Sequence, residues 1–447
     1  MSRLIFAATA VPGHVLPLLA AARHLVARGH EAAFLTGSVF RSPVEAAGAR
    51  FVPLAREIDL DYRRLDEHFP ERRTVDTGMP QVAFALDHLF ADALPLQHAG
   101  LRALLRDFPA DAVILDSMFC GALPLLLGPR RARPPIIALG ISPLALSSVD
   151  TAPFGTALPP PATPEQRMRN AALNRHVQQT VFAGPQRHFN EVLAGIGAPP
   201  LPRFLFDSMI TLPDLFLQPA TPAFEYPRRD LPPTIRFIGP IVLPSPEIAL
   251  PPWWGELDAE RPLVVVTQGT VQNADFGQLV GPTLTALAEE PATVIATTGG
   301  APVETIPVPL PANARAASFL PFDRLLPKAR ALVTNGGYGA VTQALSLGVP
   351  LVVAGDSEEK PEVAARVAWT GAGIDLRAGR PTVPQLREAV RAVLARPQYR
   401  RRASAIRDDF NRHDALAGIA TLVEAVVAGA AERQPDSAGP LLTERML

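Results

Sequence analysis

The chain carries a series of short runs, each built around consecutive apolar residues. They include RLIFAATA (Arg3 to Ala10), EAAFLTG, DAVILD (Asp111 to Asp116) and PPIIALG (Pro134 to Gly140), then PLVVVTQG, ATVIATTGG, ALVTNGG and VPLVVAG. A strand with no polar face has to be covered on both sides. Between these runs lie stretches of helical spacing, such as VLPLLAAARHLVARG, which ends at Gly29, a natural C-cap. Strand and helix in alternation specify an α/β chain whose parallel sheets are covered by helices.

A chain of 447 residues, 48% of them hydrophobic, has material for two such cores. The Pro-rich text PATPAFEYPRRDLPPTI between the two series reads as a linker. The expected organisation is a first domain over 1–218, the linker over 219–235, and a second domain over 236–400. Terminal helices over 401–430, able to pack back on the first domain, and a disordered polar tail over 431–447 complete it. The fold class is two doubly wound, Rossmann-like domains facing a cleft, with ligands at the carboxyl ends of the strands. Residues 55–95 (charged, irregular) and 142–205 (Pro-rich, then helical) break the rhythm, and insertions of this kind form binding surfaces or lids. Beyond the shared architecture there is no internal sequence repeat.

The formal net charge of −1 supplies no field for nucleic acid or an acidic membrane surface. The one cysteine, Cys120, excludes a disulfide framework and a zinc cluster, and fits a reducing compartment. The N-terminal run MSRLIFAATAVPGHVLPLLAAARHL imitates a signal peptide, but Pro12-Gly13-His14 splits it and no small-residue cleavage site comes after it. No apolar run reaches the roughly 18–20 residues a membrane span requires. The expectation is a cytoplasmic protein, monomeric or homodimeric.

In the second half, three strands end in small polar loops: Thr267-Gln268-Gly269-Thr270, Thr297-Thr298-Gly299-Gly300 and Thr334-Asn335-Gly336-Gly337. Any one could be an ordinary strand-to-helix turn. Three at corresponding strand ends favour a phosphate or nucleotide site, because glycine admits a ligand close to the backbone and a helix start favours an anion. The first loop, TAVPGHVLP, is not the dinucleotide fingerprint, and no P-loop is present.

The stretch FLPFDRLLPKARALVTNGGYGAVTQALSLGVPLVVAGDSEEKPEVAARV (Phe319 to Val367) resembles the donor signature of the UDP-sugar-dependent glycosyltransferases of the GT-B fold, the plant and bacterial natural-product enzymes. Their pattern runs W-x-P-Q, then H-[CG]-G-x-N-S-x-x-E, then G-V-P, then [DE]-Q-P. PGH near the N-terminus (Gly13 among its donor-side residues) and the T-Q-G-T loop fit as well, so the resemblance covers essentially the whole chain in order. It implies that Phe319 stands where the family stacks a Trp on the nucleobase. Pro321 matches, and Phe322 replaces a Gln whose backbone meets the base. Thr270 matches the hydroxyl residue near the diphosphate. Asn335 replaces the diphosphate-binding His, Gly336 and Gly337 are kept, and Tyr338 fills the variable position. Gly339 and Ala340 replace Asn and Ser. Gln343 replaces the Glu that grips the ribose hydroxyls, so a deoxyribose (TDP) donor stays open beside a UDP-sugar. Gly348-Val349-Pro350 match. Glu359 matches the acid that holds sugar hydroxyls, Lys360 replaces Gln, and Pro361 matches. Lys360 could meet an acidic sugar, but pairing with Glu359 is the stronger expectation.

The family also places a base and its orienter where His14 and Asp116 stand. A His at a helix start is usually a cap or surface residue. Here it comes after the first strand, Asp116 ends a neighbouring one, and an acceptor hydroxyl attacking a sugar carbon needs such a base. The implied activity is inverting transfer of a sugar from a UDP- or TDP-sugar co-substrate to a hydroxyl of an apolar acceptor, flavonoid- or macrolide-like. The first domain would take the acceptor, the second the donor, with no metal and no bound cofactor. A catalytically silent nucleotide-binding relative and a sugar-nucleotide epimerase of the same fold are the alternatives. Asp59-Leu60-Asp61 imitates a D-x-D metal motif but lies in an irregular region and is assigned to a solvated loop. Cys120 is expected to be a buried structural thiol. His24, His30, His176 and His413 show no partner pattern. His68, His88 and His98 lie in the irregular segment, where a surface position is the stronger expectation than an acceptor pocket. No glutamate pair of the kind found in retaining relatives flanks the donor loop.

Overall fold

The computed structural model describes residues 1–243, 245, 248–258, 261–270 and 275–431. The polar tail expected from the sequence lies, but for residue 431, outside them. The first sheet holds β1 (Arg3–Ala7), β2 (Glu31–Thr36), β3 (Arg50–Pro53), β4 (Ala112–Asp116), β5 (Ile136–Leu139), β6 (Leu215–Gln218) and β7 (Ile235–Phe237). Its order is β3-β2-β1-β4-β5-β6-β7. The second holds β8 (Leu263–Thr267), β9 (Thr293–Thr297), β10 (Ala314–Ala317), β11 (Ala329–Thr334), β12 (Leu351–Val353) and β13 (Gly373–Asp375), in the order β10-β9-β8-β11-β12-β13. The strand pairings of both sheets are parallel.

The cause is visible in burial. Leu4, Ile5, Phe6 and Ala7 of β1, and Val264, Val265 and Val266 of β8, are fully buried. Neither strand has a solvent face, so helices cover both sides. In the second half the two faces form separate clusters: Val265, Leu332 and Leu351 point into one, Val264, Val266 and Val333 into the other. Alternate residues of one strand thus serve opposite layers.

The linker expected at 219–235 is not a linker. β7 adds to the first sheet, with Ile235 opposite Phe216, and the preceding stretch is packed: Ala220, Thr221, Phe224 and Glu225 are buried. Proline density there marks a buried irregular connection, and the first unit runs through β7. The irregular stretch 55–95 contains short helical turns, then the helix Met79–Ala85 and a wider π-type turn, Leu86–Ala91. The insertion 142–205 contains the helices Pro164–Gln179 and Ala183–Gly195. A helix over Val280–Leu287 connects β8 to β9.

The last helix, Ala415–Ala431, lies against the first-half core: Ala415, Ile419, Ala420 and Val423 are buried in it. Glu424 on that helix meets Arg28 at 3.0 Å and His30 at 3.3 Å, a partner for His30 that sequence spacing did not show. The stretch Pro397–Ala430 is long and apolar enough to cross a membrane by length and composition, contrary to the expectation that no stretch would be. One face of its second part is accounted for by the contact with the first core. Ile419→Ala empties part of that contact and costs about 2–4 kcal/mol of stability in denaturant unfolding.

Candidate functional site

In an open α/β sheet the crevice lies where the strand order reverses. In the first sheet the chain runs from β1 outward to β2 and β3, then returns to place β4 on the other side of β1. His14 lies in the helix Pro12–Ala27 that comes after β1, and Asp116 closes β4. The two meet at this reversal: His14 Nδ1 and Asp116 Oδ1 are 3.0 Å apart. Asp116 is fully buried, and its other bonds come from the backbone N–H groups of Thr9 (2.7 Å, to Oδ2) and Met118 (2.7 Å, to Oδ1). A carboxylate so supplied accepts only. Nδ1 of His14 therefore carries the hydrogen, and Nε2 is left as the basic nitrogen. Gln97 braces the same region, accepting from Gly121 N at 2.9 Å. Phe90, on the π-type turn, lies nearly parallel to the His14 ring at 6.1 Å and 10°. Nothing in the spacing of Gln97 or Phe90 distinguished them from core residues. Gly13 has open space where a Cβ would stand.

The second sheet repeats the device. β8 leads outward to β9 and β10, and β11 returns on its other side. Thr267, Thr297 and Thr334 are level in register, so the three polar loops leave the sheet side by side. Each turns through a glycine of positive φ: Gly269 (76°), Gly299 (61°) and Gly336 (93°). At the reversal Asn335 Nδ2 donates to the backbone carbonyl of Gln268 at 2.7 Å. This bond ties the β8 and β11 loops together and uses one of the two hydrogens of the amide. Close packing accompanies it, because a Cβ on Gly355 would stand 2.0 Å from the Asn335 carbonyl oxygen. A small cavity opens beside them, lined by Gln268, Asn335, Asp356, Ser357 and Lys360 among others.

Gly337 caps the helix Tyr338–Ser346, whose first N–H groups have no partner within the helix. Gly339 is exposed, while Ala340 and Gln343 are half-buried on the same helix. Tyr338 departs from its expected place among donor contacts. Its ring is buried, and its hydroxyl accepts from Gln218 Nε2 of the first half at 3.1 Å. Burial pushes that phenol well above its usual range. Phe319 keeps an open face, 49% exposed, packed against Gly300. Pro321 is buried and Phe322 packs partly into the second core, while Thr270 is exposed.

Lys360 does not take Glu359 as its partner. Its Nζ pairs with the Glu358 carboxylate and lies 3.2 Å from Ser357 Oγ. Glu358 reaches it from a left-handed backbone (φ 55°), a conformation the sequence did not announce. Burial raises the Glu359 carboxyl above its ordinary range, opposed by Lys360, and the His14 imidazole is near enough to lower it. Tyr62 was missed by sequence reasoning. Burial first, then the charges of Asp116 and Glu358, push its phenol upward. Thr77 Oγ1 lies 3.4 Å from Asp356, bringing the irregular segment onto the second-half loop.

The remaining candidates are structural. Cys120 is buried, its Sγ 3.3 Å from the Met118 carbonyl, and burial raises its pKa well above the usual range. His98 Nδ1 sits 2.9 Å from the Gly121 carbonyl, and His88 faces Asp92. Asp59 accepts from Ser38 N at 2.9 Å, as loop bracing. Among the described residues no group of three or more His, Cys, Asp or Glu side chains is placed to hold a metal ion.

Residues 282–426 match the family model "Erythromycin biosynthesis protein CIII-like, C-terminal domain". The chain is 43% identical to 4'-demethylrebeccamycin synthase of Lentzea aerocolonigenes over 95% of its length and 100% of the relative's. It is 38% identical to UDP-glycosyltransferase 2 of Phaeomoniella chlamydospora over 95% of this chain and 96% of that one. The solved structure of CalG4, the calicheamicin glycosyltransferase, superposes with a TM-score of 0.71 at 24% identity, covering 96% of this chain and 99% of that one.

The Asn335 bond generates a measurable expectation. Asn335→Asp sets a carboxylate against the Gln268 carbonyl and any bound anion. It should weaken UDP binding by about 10-fold or more in calorimetry. Asn335→Ala, which only removes the tie, should weaken it less.

Proposed function

Since the chain belongs to the natural-product glycosyltransferases of the GT-B fold, we propose that it works by inversion, with His14 as the base and Asp116 as its orienter. The chain is a glycosyltransferase, and in this reading it transfers a sugar to a small-molecule acceptor. The observation that carries the inverting reading is the His14–Asp116 contact of 3.0 Å at the strand-order reversal.

In this reading His14 Nε2 takes the proton of the acceptor hydroxyl as its oxygen bonds to C1 of the sugar. The bond from C1 to the diphosphate oxygen breaks on the opposite face, and the electron pair leaves with the diphosphate. Asp116 stabilises the imidazolium that forms. The start of the helix Tyr338–Ser346 and the glycine loops beside it meet the departing negative charge, which is the task a metal ion performs elsewhere. Glu359 holds sugar hydroxyls, and Phe319 supplies a face for the nucleobase. The donor is a UDP- or TDP-sugar. The acceptor is apolar and ring-bearing, taken by the first half, whose insertion brings Phe154, Phe182, Phe204 and Phe206 together around a small cavity.

His14→Ala and Asp116→Asn should each lower kcat by about 10²–10⁴-fold in a transfer assay with UDP-glucose or TDP-glucose. Wild-type turnover in either variant would remove the proposed base. A chelator should leave the rate unchanged, and loss of activity restored by Mg²⁺ would show that the helix start does not suffice.

A further inference from the structure

The helix Lys360–Thr370 begins at the donor-side residues Glu359 and Lys360, yet it carries three buried polar side chains, Lys360, Glu362 and Arg366, that the chemistry above does not use. Arg366 is among the largest fully buried side chains of the protein. Its Nη2 and Nε donate to Glu225 Oε2 at 3.1 and 3.2 Å, and its Nη1 donates to Glu362 Oε2 at 2.9 Å. Glu225 belongs to the buried connection of the first half, and its other oxygen accepts from Leu144 N at 2.8 Å. Glu362 Oε1 crosses to the same loop, accepting from Gly155 N and Ala157 N, both at 2.8 Å. Gly155 and Ala157 hold positive φ values of 94° and 53°, so this backbone is bent around the carboxylate. Between them and Leu144 the loop carries Phe154, which packs against Phe206 at 5.9 Å in the aromatic cavity.

Resting on the glycosyl-transfer reading, we propose that Glu362 is a positioning residue through which the donor-side helix sets the acceptor loop 144–157. Arg366 and Glu225 hold it in place. Three considerations support this. The carboxylate is less than one helical turn from Glu359, so a shift of the helix start on sugar binding is carried directly to the Gly155–Ala157 backbone. Its Oε1 is directed at main-chain groups of the other half, where a merely space-filling contact would be apolar and free of desolvation cost. The guanidinium remains charged, because Glu225 and Glu362 outweigh the lowering effect of burial, so the network is an ion cluster with matched partners.

The test compares Glu362→Ala with the wild type, whose transfer is first measured with UDP-glucose, TDP-glucose and the flavonol quercetin. Failure of the wild type with every donor counts against the transferase reading, whereas a defect confined to the variant bears on Glu362. Loss of two charge-assisted bonds to the loop should raise the acceptor KM by about 10-fold and lower kcat, while calorimetric UDP affinity stays within about twofold. Glu362→Asp keeps a charge beside Arg366 but withdraws it from the loop. It should raise the acceptor KM likewise, and it serves if the alanine variant does not fold. An unchanged acceptor KM in either folded variant, or a UDP affinity that falls in step with it, overturns the proposal.

Discussion

Parallel pairing is the constraint on which the rest of this protein depends. When all strands of a sheet run one way, every carboxyl end lies on one edge, and every connection must return across a face as a helix or insertion. Two such edges are turned toward one cleft. Each contributes its chemistry at the point where strand order reverses: His14 and Asp116 between β1 and β4, Gln268 and Asn335 between β8 and β11. The pairs are alike in kind. In both, a side chain just past one strand is tied to a group at the end of its neighbour, and the tie fixes a loop from which other groups reach outward.

Burial decides what these polar groups can do. Asp116, fully buried, accepts from the Thr9 and Met118 backbone N–H groups and from His14 Nδ1, and so fixes the tautomer of His14. Lys360 is equally enclosed, and Glu358 and Ser357 take up its donors. Its charge is therefore met before any sugar arrives, which moves the weight of sugar recognition toward Glu359. Between the halves, Arg366 with Glu225 and Glu362, and Tyr338 with Gln218, replace the flexible joint that proline density suggested. A buried ion cluster is costly to break by removing one member, and that cost holds a fixed geometry rather than adding net stability.

The candidate site was legible wherever a residue had to occupy a strand end. His14, Asp116 and the three glycine loops were read because apolar strands are recognisable one by one and ligands gather where they stop; Gly348-Val349-Pro350 was read only from the family resemblance. Side-chain partners were not legible. Glu359 and Glu358 are equivalent neighbours of Lys360 in the text, and only the left-handed turn at Glu358 selects between them. Tyr338 reads as the variable position of a phosphate loop, and its ring is drawn to Gln218, 120 residues earlier.

By itself, the sequence determined two parallel α/β cores, their approximate extents, the cleft between them and the strand ends that face it, because these depend on local apolar periodicity. Tertiary structure decided where the first unit ends, that the last helix returns to it, and which buried charge meets which. Those outcomes depend on contacts between residues such as Glu362 and Gly155, or Ile419 and the first core, whose separation in the chain leaves no local pattern to read.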